Sequence, residues 1–227
     1  GVHRGPGAGA QGAVEGKGPR CDTGLLAALP DHLVAVVQDP VRNPTHTVGE
    51  AMFENIRADL RAHGGDWGAQ GFWVLLVYRF GRWRYGVRPA LLRKLFSILY
   101  KILFKFVQII TGVELPCEVV IGRNFVIDHF GGIVISGYAR FGDDCRIRNG
   151  VVVGLKNVNE PIAPVFGNNV DIGAGAKVLG NIRIGNNVTI GSNAVVLIDV
   201  PDDSLAVGVP ATVKRRKPTE AVACPVE

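Results

Sequence analysis

Cysteine is scarce in this 227-residue sequence, and its few copies are scattered. The four cysteines, Cys21, Cys117, Cys145 and Cys224, form no Cys-x-x-Cys pair, which excludes the zinc and redox motifs built on that spacing. No secretory signal precedes them, so reduced thiols in a cytoplasmic protein are the simplest interpretation.

Acidic residues are absent from positions 79 to 105, although the whole chain carries 25 Lys and Arg against 20 Asp and Glu. Eight basic residues lie there: Arg79, Arg82, Arg84, Arg88, Arg93, Lys94, Lys101 and Lys105. This excess favours anionic partners, and the aromatic residues between Trp73 and Tyr85 would also fit a nucleic-acid patch. No recognised nucleic-acid motif accompanies them, so no nucleic-acid partner is expected.

Hydrophobic periodicity is missing at the N-terminus, where seven of the first 18 residues are glycine. Residues 1–24 are therefore expected to form a flexible tail. An apolar-rich stretch over 25–38 predicts a short helix. A second helix is predicted over TVGEAMFENIRADLRA, because Thr47 is placed to cap it, Glu50 follows three residues later, and two glycines end it.

A long apolar segment at 89–110 completes this helical region, which spans residues 25–112. Lys94, Lys101 and Lys105 lie on one face of a helix at this spacing, and each would cost about 2.5 kcal/mol or more near the centre of a bilayer. The segment is therefore interpreted as an amphipathic helix that packs on the protein or on a partner subunit. Shallow contact with an anionic membrane surface is the alternative.

A six-residue period replaces the helical pattern after Gly112. Apolar residues recur at this interval, glycine often follows them, and a small or medium apolar residue often stands four positions later. The recurring positions are Leu115, Ile121, Ile127, Ile135, Phe141, Ile147, Val153, Phe166, Ile172, Val178, Ile184, Ile190 and Val196. The period slips by two residues between Ile127 and Ile135, and a longer insertion separates Val153 from Phe166.

Such a repeat predicts a solenoid of short strands. One unit forms a strand and a tight turn, three units close a triangular coil, and about a dozen units make roughly four coils. Asn-rich turns at 167–169 and 185–187 fit this fold, because Asn tolerates the left-handed conformation. An ordinary β-sandwich would show alternating residues and irregular turn spacing, and the sequence shows neither.

These residues resemble the hexapeptide-repeat acyltransferases with a left-handed parallel β-helix, and more narrowly the serine acetyltransferase-like group. The matching motifs are IDHFGGIVI at 127–135, IGAGAKVLGNIRIGNNVTIGSNAVVLIDVP at 172–201 and GVPA at 208–211. The resemblance implies a mainly β fold, with a left-handed β-helix at 113–213 and a basic tail at 214–227. The preceding IRADLRAHGG, VYRFGRW and apolar helix look like the N-terminal part of bacterial exopolysaccharide acetyltransferases of the colanic-acid type.

The resemblance implies that an acetyl group moves from acetyl-CoA to an acceptor hydroxyl in a homotrimer with active sites between subunits. It implies a small-molecule or saccharide acceptor, no metal, and a cytoplasmic location, with the inner face of the membrane as an alternative. An alcohol needs a base to become a good nucleophile, and histidine suits that role at neutral pH. His129 matches the family's catalytic histidine, and the two-residue slip gives a physical reason for its presentation. A surface-loop histidine without a role is the alternative.

The resemblance also assigns roles to two carboxylates. Glu114 matches the acid that orients the catalytic base, where serine acetyltransferases usually have Asp. A solvated Glu is the alternative. Asp128 matches a position that helps to bind the acceptor, and a turn-capping Asp is the alternative interpretation.

Four further residues match positions that bind the cosubstrate in this family. Gly154, Ala174 and Ser192 would line the CoA groove, where small residues allow the pantetheine arm to approach. Lys214, or one of the two arginines after it, would contact the CoA phosphates. These basic residues would otherwise belong to a solvated tail.

The insertion GLKNVNEPIAPV after Val153 departs from the family. Serine acetyltransferases carry Arg-His-Pro in this loop, whereas this chain has Ile162, Ala163 and Pro164. The loss of a cation that suits the serine carboxylate favours a sugar or exopolysaccharide hydroxyl as acceptor. Serine O-acetylation in cysteine biosynthesis is the alternative.

Two other functions fit the same architecture. An inactive prism that acts as a scaffold is disfavoured, because the histidine that matches the base is retained. A γ-type carbonic anhydrase needs three zinc-binding histidines, and His129 is the only histidine in the repeat.

Overall fold

The computed structural model describes residues 48–215. The predicted tail 1–24, the predicted helix 25–38, the predicted cap Thr47, and residues 216–227 lie outside the described residues.

Three α-helices precede the strands in this part of the chain. Helix α1 (Val48–Ala62) and helix α3 (Ala90–Thr111) confirm the two helices predicted around them. Helix α3 ends where Gly112 adopts a left-handed φ of 64°. The sequence pattern does not predict helix α2 (Gln70–Trp83), which a 3-10 turn (Arg84–Gly86) continues, because its apolar residues run together without a helical period.

Thirteen short strands follow among the described residues. They are β1 (Val113–Glu114), β2 (Val126–Asp128), β3 (Ile133–Ile135), β4 (Arg146–Arg148), β5 (Val152–Gly154), β6 (Val165–Phe166), β7 (Asp171–Ile172), β8 (Lys177–Leu179), β9 (Arg183–Ile184), β10 (Thr189–Ile190), β11 (Val195–Val196), β12 (Ser204–Val207) and β13 (Thr212–Arg215). All pair in parallel except β13, which pairs antiparallel with β12 and extends two residues beyond the predicted boundary at 213.

The strands form the three faces of a prism. The first face contains β1, β3, β5, β8 and β11, and the second contains β2, β4, β7, β10, β12 and β13. The third contains β6 and β9, with single bridges at Val120, Arg140 and Val200. Five levels stack on each face, so the solenoid has five turns where the sequence predicts roughly four, because Val200 and Ala206 also occupy repeat positions.

Each face sends one column of apolar side chains to the prism axis. The column of the second face pairs in register and is buried throughout: Ile127, Ile147, Ile172, Ile190 and Ala206. On the third face the rings of Phe141 and Phe166 stack with centroids 4.4 Å apart. The six-residue period is therefore the spacing of the core, as predicted.

Asn and Asp form a ladder along the edge between the third and second faces. Five of them adopt φ values between 53° and 58°: Asn124, Asp144, Asn169, Asn187 and Asp203. Asn169 Nδ2 donates to Asn187 Oδ1 at 3.0 Å, and Asn187 Nδ2 donates to Asp203 Oδ1 at 2.9 Å. The expected left-handed conformation of the Asn residues is confirmed. Their side-chain amides connect one turn of the prism to the next.

Helix α2 packs over the first turn of the prism. The Tyr78 hydroxyl donates to the Val119 carbonyl at 2.8 Å. Arg79 donates to the Asp59 carboxylate of helix α1 at 2.8 and 3.1 Å, and to the Gly122 carbonyl at 2.8 Å. Because Arg79 is buried in these contacts, it does not contribute to a nucleic-acid patch.

Candidate active site

The structure identifies which two residues cause the slip in the repeat. Asp128 of β2 pairs with Arg148 of β4, and the Gly131 carbonyl accepts from the Gly150 N–H at 2.8 Å. Gly131 and Gly132 therefore occupy the turn positions that Asn149 and Gly150 occupy on the next turn of the prism. His129 and Phe130 are the extra residues. Both are exposed, and His129 adopts a φ of 56°, so the slip does project His129 from the prism wall.

Two residues predicted to line the CoA groove lie on the edge that carries His129. This edge joins the second face to the first, and we call it the His129 edge. Continuing the pairing of Ile147, Ile172 and Ile190 by two residues aligns Asn149, Ala174 and Ser192 on successive turns. The backbone agrees, since the Gly175 and Asn193 N–H groups donate to the carbonyls of Asn149 and Ala174, both at 2.8 Å. The small side chains of Ala174 and Ser192 leave this part of the edge accessible.

An open cavity of about 540 Å³ adjoins His129. One wall is formed by the end of β2 and the loop after it: Ile127, Asp128, His129 and Phe130. The other wall comes from the end of helix α1, the connection after it and the start of helix α2: Ala62, His63, Gly64, Gly68, Ala69, Gln70 and Gly71. Among these described residues Asp128 is the only carboxylate, and Arg and Lys are absent.

His63 is held through both ring nitrogens. Nδ1 lies 2.7 Å from the Asp59 carbonyl oxygen, which can only accept, and Nε2 accepts from the Ile127 N–H at 3.3 Å. The neutral ring with its proton on Nδ1 satisfies both contacts. A Cβ on Gly71 would lie 2.9 Å from His63 Nε2, so helix α2 begins directly against the ring. His63 therefore joins helix α1 to the strand that leads into His129.

Asp128 forms an ion pair instead of capping a turn. Arg146 Nη1 donates to Asp128 Oδ2 at 2.5 Å, and both side chains are partly exposed. On the next turn Arg148 pairs with Asp171, and the hydrogen bond that Arg148 donates to the Asp171 carboxylate raises the pKa of the guanidinium above its ordinary value. Strand β4, which leads to the His129 edge, thus holds both of its arginines in ion pairs.

Glu114 lies on β1, where it pairs with Val134 in register. Gln108 Nε2 of helix α3 donates to Glu114 Oε2 at 3.1 Å, and Lys105 Nζ donates to Gln108 Oε1 at 2.7 Å. Within residues 52–215 no hydrogen bond joins Glu114 to His129. Gln108 therefore competes for the carboxylate that the resemblance assigns to the base.

Gly154 lies on a different edge from the other matched residues. It ends β5 and pairs with Leu179 of β8, at the edge between the first and third faces, which we call the loop edge. The part of the insertion 154–165 that lies between strands β5 and β6, residues 155–164, follows directly at this edge. Among the described residues, none of this insertion lines the cavity beside His129.

Lys214 lies on strand β13, where it pairs with Leu205 of β12. Lys214 and Arg215 are both exposed. Neither belongs to an unstructured tail, and both are on the second face at the last turn of the prism. The other basic residue proposed for this role, Arg216, lies outside the described residues.

His63 lines the cavity and Asn149 lies on the His129 edge, but neither carries a role in the sequence interpretation. His63 stands 64 residues before Ile127, the residue whose N–H it accepts, and no local pattern links them. Asn149 could have been found by extending the six-residue register, because it follows Ile147 by two positions, as His129 follows Ile127.

The described residues also restrict what else the protein holds. Between residues 48 and 215, no group of three His, Cys, Asp or Glu side chains is arranged to bind a metal ion. None of the helices in this part of the chain is both long and apolar enough to cross a membrane. Cys117 and Cys145 are free, buried thiols.

The repeat region matches a known protein family. The model of the bacterial transferase hexapeptide family, which describes six repeats, matches residues 163–197. This segment contains strands β6 to β11 and both Ala174 and Ser192.

Two curated relatives extend the similarity beyond the repeats. The serine acetyltransferase of Synechococcus elongatus is 42% identical over 144 residues, which cover 63% of this chain and 56% of the relative. The putative colanic acid biosynthesis acetyltransferase WcaB of Escherichia coli K12 is 36% identical over 161 residues, which cover 69% of this chain and 96% of the relative. The chain thus spans little more than half of the first relative and nearly all of the second.

A solved structure has the same architecture. The serine acetyltransferase of Neisseria gonorrhoeae aligns with a TM-score of 0.63 and 30% sequence identity, covering 74% of this chain and 66% of that one.

Proposed function

Because the chain belongs to the hexapeptide-repeat acetyltransferases of the serine acetyltransferase type, we propose that it transfers the acetyl group of acetyl-CoA to an acceptor hydroxyl. His129 is the general base of this reaction. The observation that carries the proposal is its position: it projects from the prism wall into an open cavity, at the two-residue slip in the repeat.

One proton moves twice in this reaction, first to His129 and then away from it. His129 takes the proton of the acceptor hydroxyl while the oxygen attacks the thioester carbonyl. The tetrahedral intermediate then collapses, the carbon–sulfur bond breaks, and the imidazolium returns the proton to the CoA thiolate. The products are the acetyl ester and free CoA, and His129 is neutral again.

Glu114 is proposed to stabilise the imidazolium form of His129. A carboxylate that accepts from the far ring nitrogen fixes the tautomer and balances the positive charge. This role requires the Glu114 side chain to leave Gln108, which holds it in the free chain. Gln108, which Lys105 in turn holds, would keep the carboxylate in place until the acceptor binds beside His129.

Acetyl-CoA is proposed to lie along the His129 edge. Ala174 and Ser192 occupy one position on successive turns of this edge, and their small side chains admit a ligand close to the backbone. Lys214 is exposed on the last turn of the second face, where its ammonium group suits a CoA phosphate. No metal takes part in this scheme.

The distribution of the matched residues over two edges supports a shared site in a homotrimer. His129, Ala174 and Ser192 lie on the His129 edge, whereas Gly154 and the insertion 155–164 lie on the loop edge. In the proposed trimer, the loop edge of one chain would lie against the His129 edge of the next. The insertion would then cover the acceptor bound beside His129 of the neighbouring chain.

The acceptor is proposed to be an uncharged hydroxyl, such as that of a sugar or an exopolysaccharide unit. The described walls of the cavity carry neither Arg nor Lys, and the one carboxylate in them, Asp128, already pairs with Arg146, so an acceptor carboxylate would find no cation in these walls. Asp128 can accept a hydrogen bond from a sugar hydroxyl. The E. coli relative, whose name places it in colanic acid biosynthesis, matches this chain over nearly its whole length.

Serine is the second candidate acceptor. The identity to the Synechococcus serine acetyltransferase and the match to the solved Neisseria enzyme support it at least as strongly as the sugar. Asp128 would then pair with the amino group of serine. The missing Arg-His-Pro in the insertion argues against it, because the serine carboxylate needs a cation.

Mass spectrometry of the products separates the two acceptors. The full chain is incubated with acetyl-CoA and a panel of serine, homoserine, nucleotide sugars and polysaccharide fragments. The same panel with His129→Ala corrects for spontaneous transfer. Acetyl esters on sugar hydroxyls are expected; saturable acetylation of serine, with a sub-millimolar KM, would replace the sugar proposal with serine.

A further inference from the structure

Helix α3 leaves a row of apolar side chains uncovered along its length. The row, which we call the α3 stripe, consists of Leu91, Leu95, Ile98, Ile102, Phe106 and Ile109, all exposed. Ile102 and Ile109 keep 62% and 75% of their surface accessible. The spacing of three and four residues keeps the stripe on one side of the helix over about 27 Å.

The opposite side of helix α3 packs on the protein. Tyr100 and Thr111 are buried, and the Phe96 ring contacts Phe80 and Trp83 of helix α2. The helix is therefore anchored by one side and presents the other. The expectation that it packs on the protein accounts for this inner side and leaves the α3 stripe unexplained.

Cations border the stripe on one side. Lys94, Lys101 and Lys105 are exposed and occupy neighbouring positions on the helical wheel, next to the row that contains Ile98 and Ile102. No acidic residue lies between positions 79 and 105 to offset them. An apolar stripe beside a row of lysines is typical of helices that lie in the interface of an anionic membrane.

We propose that helix α3 docks this protein on an anionic membrane surface, with the α3 stripe in the acyl boundary and the lysine row at the lipid phosphates. The helix lies flat, because its inner side remains packed on helix α2. A second copy of the chain fits less well, since two copies of helix α3 would bring eight cations, Arg93, Lys94, Lys101 and Lys105 from each, and no acid of their own into one interface.

The docking surface ends beside the candidate site. Gln108, near the C-terminus of helix α3, bonds to Glu114, and a Cβ on Gly112 would lie 3.3 Å from Gly131 Cα in the loop that carries His129. Docking would hold this loop close to the lipid surface. Docking therefore favours an acceptor hydroxyl that is carried on a lipid. This consequence rests on the proposed function.

Vesicle flotation tests the docking without any acetyl transfer. The full chain is mixed with vesicles of phosphatidylcholine alone, or of phosphatidylcholine with phosphatidylglycerol, and the floated fraction is measured. Flotation is expected with the anionic vesicles only. The double variant Ile102→Glu, Ile109→Glu is expected to lower the partition coefficient by about tenfold or more, because it places charge in the apolar row.

Two control variants, one for the α3 stripe and one for the lysine row, distinguish these features from general effects of changing the surface charge. Val158→Glu adds a charge at another strongly exposed apolar residue and should leave flotation unchanged. Lys94→Gln with Lys101→Gln should weaken binding and reduce its salt dependence, whereas Lys156→Gln with Arg183→Gln should do neither. Circular dichroism checks that each variant remains folded.

Three results would overturn the proposal. The first is a folded wild-type chain that fails to float with anionic vesicles. The second is a loss of flotation in Lys94→Gln with Lys101→Gln while Ile102→Glu with Ile109→Glu floats like the wild type. This result would mean that the chain adsorbs by charge alone. The third is an α3 stripe that is buried between copies of the chain. Sedimentation would then show a wild-type assembly that Ile102→Glu with Ile109→Glu dissociates, and neither protein would bind vesicles. A failure of acetyl transfer with every acceptor would overturn the proposed function and leave docking untouched.

Discussion

At the scale of single residues, the side chains around His129 depend on partners that are remote in the sequence. His63 accepts from the Ile127 N–H and contacts the Asp59 carbonyl, so it fixes the strand two residues before His129, the proposed base. Its ring also forms part of the wall that faces His129. A change at His63 should therefore affect the reaction without any direct part in proton transfer.

His63→Ala should lower kcat/KM by about tenfold, because a buried N–H loses its acceptor and the strand is less well fixed. His63→Gln keeps an acceptor atom on a side chain of similar reach and should recover most of the loss. Steady-state CoA release measures both variants, with thermal unfolding as the control for stability. Equal losses in the two variants would show that the hydrogen bond to Ile127 does not matter.

Cys145 provides a pH-dependent prediction within the core. Burial raises the pKa of its thiol to about 11, from an ordinary value of 9.0. Between pH 9 and 11 the folded chain therefore retains a proton that the unfolded chain releases, so stability falls as the pH rises.

Replacing Cys145 with Ala should flatten this dependence. The free energy of unfolding of the wild type should fall more steeply between pH 9 and 11, by up to about 1.4 kcal/mol per pH unit from this group. Urea unfolding at both pH values measures the difference. Parallel curves for the two proteins would remove Cys145 as the cause.

At the scale of elements, helices α1 and α2 act as one unit that closes the prism and forms the outer wall of the cavity. Arg79 of helix α2 joins the Asp59 carboxylate of helix α1 to the Gly122 carbonyl of the first turn. Both charged groups are buried. Their pairing sets the position of the α1 end, from which His63 reaches the strand.

Asp59→Ala should destabilise the fold by about 3–5 kcal/mol, because it leaves the Arg79 guanidinium buried without its counter-charge. Glu54→Ala on the same helix removes an exposed carboxylate and should change stability by less than about 0.5 kcal/mol. Urea unfolding of the two variants makes the comparison. A similar small effect at both positions would contradict the structural role of the buried pair.

At the scale of the whole molecule, the repeat makes much of the structure predictable. Positions six residues apart lie in the core because each turn of the prism stacks on the next, and the slip at His129 is visible as a break in that period. Contacts outside the repeat follow no such rule. The His63–Ile127 contact, the Gln108–Glu114 contact and the fold of helix α2 depend on how the helices pack on the prism, which no local pattern in the sequence encodes.

The prism is thus a repeating wall in which the two-residue slip presents His129, the proposed base. If His129 is the general base, its removal should slow the reaction without harming the fold, since its side chain is exposed. Phe130→Ala is the matched control, because Phe130 is the other extra residue of the same loop and has no proton to exchange.

The decisive measurement is the rate of CoA release from acetyl-CoA in the presence of an accepted hydroxyl compound, compared among wild type, His129→Ala and Phe130→Ala. We expect His129→Ala to lower kcat by about 10²- to 10⁴-fold, with unchanged circular dichroism. Phe130→Ala removes only a ring from the cavity wall, so it should retain most of kcat, and a lost acceptor contact should change KM. A His129→Ala protein that releases CoA at the wild-type rate would contradict the assignment of His129 as the base.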